Sequence, residues 1–239
     1  MDQTMEGKTV LVTGASRGIG AEIARVFSEL GAEVIGTRTS AGNADSVCSD
    51  WLIVDFSNMG QLHNCVSDVK KIAPDVLINN AGINKIGNFV DIDHNDFLNI
   101  QQVNVFAPFL LCQAVIPAMK ERNWGRIVNI SSIWGKIGKE YRAPYSASKF
   151  ALDGITLALA AEHSRDGILA NCVAPGFTDT ELTRGVLGDE VIRSLTATVP
   201  AQRMAMPSEV AKCVAWLGSN KNTYISGQNI AIDGGFTRV

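Results

Sequence analysis

Tyr145 and Lys149 stand four residues apart in Tyr145-Ser146-Ala147-Ser148-Lys149, a stretch of helical composition, and in a helix such residues share one face. A phenol with a free pKa of roughly 10 is a poor acid or base at neutral pH. A cation held beside it favours the phenolate and brings proton exchange within reach. The pair could therefore give and take a proton. By itself the spacing fits a solvated helix face equally well, so its meaning depends on what the rest of the chain brings to it.

Several polar or small clusters follow apolar runs, which is how strands deliver chemistry to one edge of a sheet. Lys8 to Thr13 ends in Gly14-Ala15-Ser16-Arg17-Gly18-Ile19-Gly20, and Ala21 to Leu30 then carries Ile23, Ala24, Phe27 and Leu30 at helical spacing. This is a predicted strand, glycine turn and helix. Glycines let the backbone turn tightly and approach a pyrophosphate, whose charge meets the free N–H groups of the helix start. Gly14, Ser16, Arg17, Gly18, Ile19 and Gly20 are therefore candidate cofactor contacts. Gly31 closes the helix, and the second strand, Ala32 to Arg38, ends where a dinucleotide fold meets the adenosine ribose. An acid there would select NAD(H); Arg38, with Arg17 nearby, favours the 2′-phosphate of NADP(H). The alternative is two solvated surface arginines.

The link Thr39 to Asp50 is polar and short. Strand Trp51 to Val54 leads to Asp55, a candidate for the adenine edge, and a helix follows from Met59 to Ile72. Asp75 to Ile78 runs into Asn79-Asn80-Ala81-Gly82, on what would be the ligand edge. A long helical stretch covers roughly 94–122. Asn104 lies in its apolar interior, where Asn is a poor choice, so the position marks either function or a local distortion. Strand Gly125 to Ile130 delivers Ser131-Ser132. Helix Tyr145 to about Arg165 and strand Ile168 to Ala174 come next, ending at Pro175-Gly176. Residues 177–207 show no clear strand, and a segment that long at a ligand edge suits a lid or substrate loop. Ser208 is expected to cap a helix with Glu209 in its first turn. Asn229 to Ile232 is the last strand, before Asp233-Gly234-Gly235. Alternation throughout predicts an α/β, Rossmann-type doubly wound parallel sheet of about seven strands, built as one domain over 1–239.

The totals agree with that size. The chain has 239 residues, 46% hydrophobic and 19% charged, enough to bury a substantial core. A net charge of −3 gives no electrostatic reason to expect nucleic acid or an anionic membrane as partner. The five cysteines (48, 65, 112, 172 and 213) are scattered without Cys-x-x-Cys, which suits small core residues in a reducing compartment rather than disulfides or a metal site. Asn104, Pro108, Gln113 and Pro117 break the most apolar segment, and the first residues lack a signal pattern, so no membrane span is expected.

Taken together, Thr13-Gly14-x-x-x-Gly18-x-Gly20, Asn79-Asn80-Ala81-Gly82, Asn104, Ser132, Tyr145-x-x-x-Lys149 and Pro175-Gly176 resemble the short-chain dehydrogenase/reductase family across essentially the whole chain. The wording around Pro175-Gly176-Phe177, Ile225-Ser226-Gly227 and Asp233-Gly234-Gly235 is most similar to 3-oxoacyl-(acyl-carrier-protein) reductases. The resemblance implies that Tyr145 is the general acid in reduction and the base in oxidation. It implies that Ser132 holds the substrate oxygen, that Lys149 binds the nicotinamide ribose, and that Asn104 holds a water joining Lys149 to solvent. Asn80, Ala81 and Gly82 would line the adenosine ribose, and Pro175, Gly176, Thr178 and Thr180 would approach the nicotinamide side. NADP(H), a carbonyl or secondary alcohol substrate, a cytoplasmic homotetramer and no metal are implied as well. Two departures stand out. The link from Arg38 to Trp51 is short, so a helix there is missing or reduced. The stretches Lys120 to Trp124 and His163 to Asp166 mix bases with acids, which leaves a carrier-bound acyl thioester open beside a specialised carbonyl or sugar reductase. A cofactor-binding module without turnover is disfavoured because Asn104, Ser132, Tyr145 and Lys149 are all present.

Overall fold

The computed structural model describes residues 5–41, 47–186 and 188–239. Its inner strands are short and almost wholly buried, as apolar runs covered on both faces should be, while the edge strands are partly exposed. The strands are β1 (Thr9–Val12), β2 (Glu33–Arg38), β3 (Asp50–Ile53), β4 (Val76–Asn79), β5 (Gly125–Ile130), β6 (Ile168–Pro175) and β7 (Asn229–Ile232). They form one parallel sheet in the order β3-β2-β1-β4-β5-β6-β7. The order reverses between β1 and β4, so a crevice opens at their C-terminal ends.

Alternation along β1 and β4 divides the core. Val10, Val12, Val76 and Ile78 face one side, where they pack with Ile23, Ala24 and Phe27 of α1 (Gly18–Glu29) and with Val210, Ala211 and Val214 of α8 (Pro207–Gly218). Leu11, Leu77 and Ile127 face the other. There they meet Leu62 and Val69 of α2 (Met59–Ile72) and Leu111, Val115 and Met119 of α4 (Ala107–Glu121). Cys48, Cys65, Cys112 and Cys172 are buried and unpaired, and burial pushes the Cys112 and Cys172 thiols up to about 12.

The long stretch near 94–122 is interrupted. α3 (His94–Gln101) passes into a π-helical turn over Gln102–Phe106 and then into α4. Asn104, the residue out of place in an α-helix, sits in that widened turn. By length and apolarity, His94–Glu121 is the only candidate span among the described residues, and half of its most apolar window is buried in the protein.

Some boundaries differ from expectation. α5 (Ala143–His163) begins two residues before Tyr145, because Pro144 presets the first turn. Ser208 does not cap its helix. Pro207 takes the first helical position, Met206 becomes the N-cap, and the Glu209 carboxylate accepts the Met206 N–H at 2.8 Å while pairing with Arg203 at 2.7 Å. Between Arg38 and Asp50 the described residues contain no helix. The 177–207 segment folds into α6 (Glu181–Val186) and α7 (Asp189–Ala197), with a bridge between Thr178 and Ala205.

Candidate active site

The glycine turn is sterically committed. Gly14 and Gly18 have φ of +64° and +58°, which L side chains rarely adopt. A Cβ on Gly20 would collide with the Gly14 carbonyl oxygen and the Asn80 amide. Asn80 braces the turn from β4, its Nδ2 donating to the carbonyls of Thr13 (2.9 Å) and Gly14 (3.1 Å). Thr13 Oγ1 accepts the N–H groups of Asn80 and Ala81, both at 2.9 Å. The polar cluster after β4 therefore holds the turn in shape as well as bordering the groove. Asn79 is drawn into the sheet, donating to Asn129 Oδ1 at 2.8 Å.

Residues predicted for the cofactor converge around this turn. Ser16 and Arg17 are exposed on it, and Ile19 is half-buried against the core behind it. Thr180 crosses from the substrate segment, so that a Cβ on Gly18 would lie 3.6 Å from its methyl group. Pro175 ends β6, the Gly176 N–H donates to Ile232 O at 2.9 Å, and Thr178 is buried beside them. Asp55 accepts the N–H and hydroxyl of Ser57 on one carboxylate oxygen (2.9 and 2.7 Å). Arg38 stacks on Trp51 with its Nε buried and without a partner. A glycine cradle that no side chain could enter and an orphaned guanidinium nitrogen at the second strand's end fit a dinucleotide carrying an extra phosphate.

The catalytic candidates lie on the opposite wall. β5 is locked to α5 by Asn129 Nδ2 donating to Thr156 Oγ1 (2.8 Å) and by Ser131 Oγ donating to Lys149 O (3.1 Å). A Cβ on Gly135 would press within 2.8 Å of the Lys149 backbone, so the turn carrying Ser132 lies close on α5. This brings the Ser132 hydroxyl near enough to the Tyr145 phenol to favour its ionised form, while Ser132 Oγ accepts the Trp134 N–H at 3.2 Å. Burial pushes the phenol above its ordinary pKa, while Ser132 and the charge of Arg142 act the other way. Lys149 is buried, and burial brings its ammonium down to about 8. It donates to Ile130 O at 2.8 Å and lies 5.4 Å from the Tyr145 ring centre.

Asn104 reaches the same wall from the π-helical turn. Its Oδ1 accepts the Ile83 N–H (2.8 Å), and its Nδ2 donates to Ile83 O (2.9 Å) and Ser148 Oγ (3.0 Å). Ser148 in turn donates to Tyr145 O at 2.7 Å. The extra residue of the wide turn thus ties the chain after β4 to the catalytic helix. Sequence reasoning passed over Ser148, Trp51 and Arg142. Of these, only Arg142 carried a signal, since it stands three residues before Tyr145.

Trp134, Phe177 and Phe236 meet edge to face with centroids 5.3–6.1 Å apart, joining the Ser132 turn to the segment after β6 and to the C-terminus. Elsewhere, three of the four bases in 120–124 and 163–166 are paired with acids, and Arg165 Nε donates only to the Glu162 carbonyl at 3.3 Å. Lys120 meets Asp166 at 3.1 Å, Arg122 meets Asp75 at 3.3 Å, and His163 meets Asp166 at 3.2 Å.

A parallel sheet with a glycine cradle at its switch point and a Ser–Tyr–Lys wall beside it defines a nicotinamide-dependent oxidoreductase acting between CH–OH and C=O. The family model described as enoyl-(acyl carrier protein) reductase matches residues 14–237. The 3-oxoacyl-(acyl-carrier-protein) reductase of Escherichia coli is 38% identical over 243 residues, 98% of this chain and 99% of that protein. With such coverage, the chain belongs to the short-chain dehydrogenase/reductase family. Among solved structures, an NADP-bound chain from Beutenbergia cavernae, provisionally assigned as a gluconate 5-dehydrogenase, superimposes with a TM-score of 0.94 at 31% identity, covering all of both chains. The gluconate 5-dehydrogenase of Burkholderia cenocepacia, in complex with NADP and tartrate, gives 0.91 at 29% identity, covering 100% of this chain and 98% of that one.

Proposed function

We propose that this protein reduces a carbonyl to a secondary alcohol with NADPH, and runs the reverse with NADP+, with a 3-oxoacyl thioester as the first substrate class to test. The observation that carries the reading is the Tyr145 phenol set near Ser132 with the buried Lys149 ammonium 5.4 Å from its ring centre. Bound nicotinamide supplies the hydride. Tyr145 gives the proton to the nascent alkoxide and takes it back in oxidation. Ser132 orients the substrate oxygen. Lys149 holds the nicotinamide ribose, and Asn104, on its widened turn, holds a water that relays protons to Lys149. Arg17 and Arg38 bind the 2′-phosphate, Asp55 meets the adenine edge, and Thr178 and Thr180 close on the nicotinamide side from a substrate loop over 177–207. Similarity to acyl-carrier reductases supports the thioester, and the NADP-bound neighbours support the cofactor.

Two further features belong to this reading. Phe106 at the end of the π-helical turn, Phe109 of α4, and Phe150 and Leu157 of α5 are exposed apolar residues, which supports a homotetramer that buries these helices between subunits. Free buried cysteines support a reducing, cytoplasmic setting.

A second reading, a small free carbonyl or sugar-derived acid, is favoured by one observation. The bases at 120–122 and 163 are paired with Asp75 and Asp166, which leaves little positive surface for an acidic carrier. Initial rates of NADPH and NADH oxidation with a 3-oxoacyl thioester beside small ketones, aldehydes and keto-sugars test both. Selective turnover of the thioester supports the first reading. Turnover confined to small carbonyls replaces it with the second.

A further inference from the structure

α5 presents one continuous face to the site, and burial deepens along it. Tyr145, Lys149, Leu152 and Thr156 follow at intervals of four, three and four, so they lie one above another, and Arg142, the N-cap with φ −124° and ψ 16°, stands just outside the first turn. Arg142 and Tyr145 are half-buried, while Lys149, Leu152 and Thr156 are buried. Arg142 thus stands at the outer end of the catalytic face.

Its surroundings are fixed. Tyr141, just before it, adopts φ +62°, a left-handed conformation that a bulky residue holds only under constraint. The constraint comes from across the site, where the Gly87 N–H donates to Tyr141 O at 3.2 Å. Arg142 therefore leaves a pinned corner rather than a free loop.

Most other arginines with hydrogen bonds in the structure are spoken for. Arg25, Arg122, Arg184 and Arg203 pair with carboxylates, and Arg126 donates to four backbone carbonyls. Arg142 has no ion pair and no hydrogen-bonded side-chain partner among the described residues. The first turn of α5 holds no acid, and the Glu140 carboxylate meets Lys139. A half-buried guanidinium without a counter-charge carries a desolvation cost that an incoming anion would offset. Burial lowers its proton affinity, and its charge acts on the Tyr145 phenol.

We infer that Arg142 receives a carboxylate of the substrate, close to the carbonyl whose oxygen meets Ser132 and Tyr145, which makes the substrate an oxo acid or hydroxy acid. This deepens the reading of a nicotinamide-dependent carbonyl reductase and selects its small-substrate form. A planar guanidinium fork matches a carboxylate in two bonds, which a lysine cannot reproduce.

The test uses the full-length enzyme with NADPH and a series of oxo acids, each beside its methyl ester and amide. Wild-type kcat/KM is expected to favour the acid by about 10- to 100-fold, as a charge-assisted pair supplies. Arg142→Gln should erase that preference through KM, bringing the acid's kcat/KM down to that of the ester, with the NADP+ dissociation constant, measured by titration, within about twofold of wild type. Arg142→Lys should restore part of it. Removing the guanidinium should also move the rising, acid-side limb of the oxidation profile to higher pH, because the phenol loses a neighbouring cation. Equal turnover of acid and ester by the wild type, or an Arg142→Gln loss that falls on both alike, overturns the assignment while carbonyl reduction stands. A wild type that binds NADPH and turns over no carbonyl overturns both.

Discussion

The Arg38 guanidinium lies 4.6 Å from the centre of the Trp51 indole, across the pairing of β2 with β3. Gly36 makes this possible, because a Cβ there would stand 2.8 Å from the ring. With no helix among the described residues of the short link, the indole is the surface that holds the arginine up to the groove. A cation over an indole is worth about 0.5–2 kcal/mol. Trp51→Leu should therefore weaken NADP+ binding by about 3- to 10-fold and leave NAD+ binding nearly unchanged, with Trp51→Phe in between. Direct titration of both nucleotides checks this; an equal loss for both would mean Trp51 only supports the fold. Arg38→Asp should go further and shift preference toward NAD+.

Tyr145→Phe deletes a proton donor and little volume. Cofactor affinity should persist while turnover falls by about 10²–10⁴-fold. Single-turnover rates beside nucleotide titration separate the two, and near wild-type turnover would remove Tyr145 from its role.

The lowered affinity of Lys149 makes a statement about stability. An ordinary lysine titrates near 10.5, and this one titrates at about 8 when folded. Below pH 8 both states are protonated and the burial penalty is fully present. Between 8 and 10.5 the unfolded chain binds more protons, so stability rises with pH through that window. Lys149→Met removes the penalty and loses the bond to Ile130 O. Denaturant titrations should find the variant about 1–3 kcal/mol more stable than wild type at pH 7, with the gap closing toward pH 10. A gap that widens with pH would contradict the burial argument.

Two glycines should answer alanine in opposite ways. Gly20→Ala forces a methyl group into the Gly14 carbonyl and the Asn80 amide, so it should abolish nucleotide binding or folding. Gly154, exposed on α5 with no atom within 4 Å of a Cβ, should gain about 0.5–1 kcal/mol from alanine by helix propensity. Thermal melts of the two variants, with and without nucleotide, check the contrast.

The parallel sheet and the glycine turn were legible because strands alternating with helices pair in parallel and the turn admits no other residue at Gly20, while the strand order came only from the structure. Asn104 was legible as an anomaly, since a polar amide in an apolar helical run needs a reason, and the π-helical turn is that reason. The Ser208 cap was misplaced because Pro207 competes for the first helical position, a choice decided by backbone geometry rather than by the hydroxyl. Asn79 and Asn80 looked like groove residues and largely serve the frame, because a side chain's direction at a strand end depends on which neighbour claims it. Trp51 was invisible as a partner because its contact crosses two strands; Arg142 could be found by its spacing from Tyr145, but not as an unpaired charge, which is a property of its surroundings.

The widened turn at Gln102–Phe106 makes this site sensitive to length as well as to residue identity. Removing any one residue there would let α3 and α4 join as a regular helix, a change that hydrophobic patterning alone would accept. The join would swing Asn104 about 100° around the helix axis, away from Ile83 and Ser148, and release the catalytic helix from the chain after β4. A single-codon deletion should thus leave a folded protein whose active site no longer holds together.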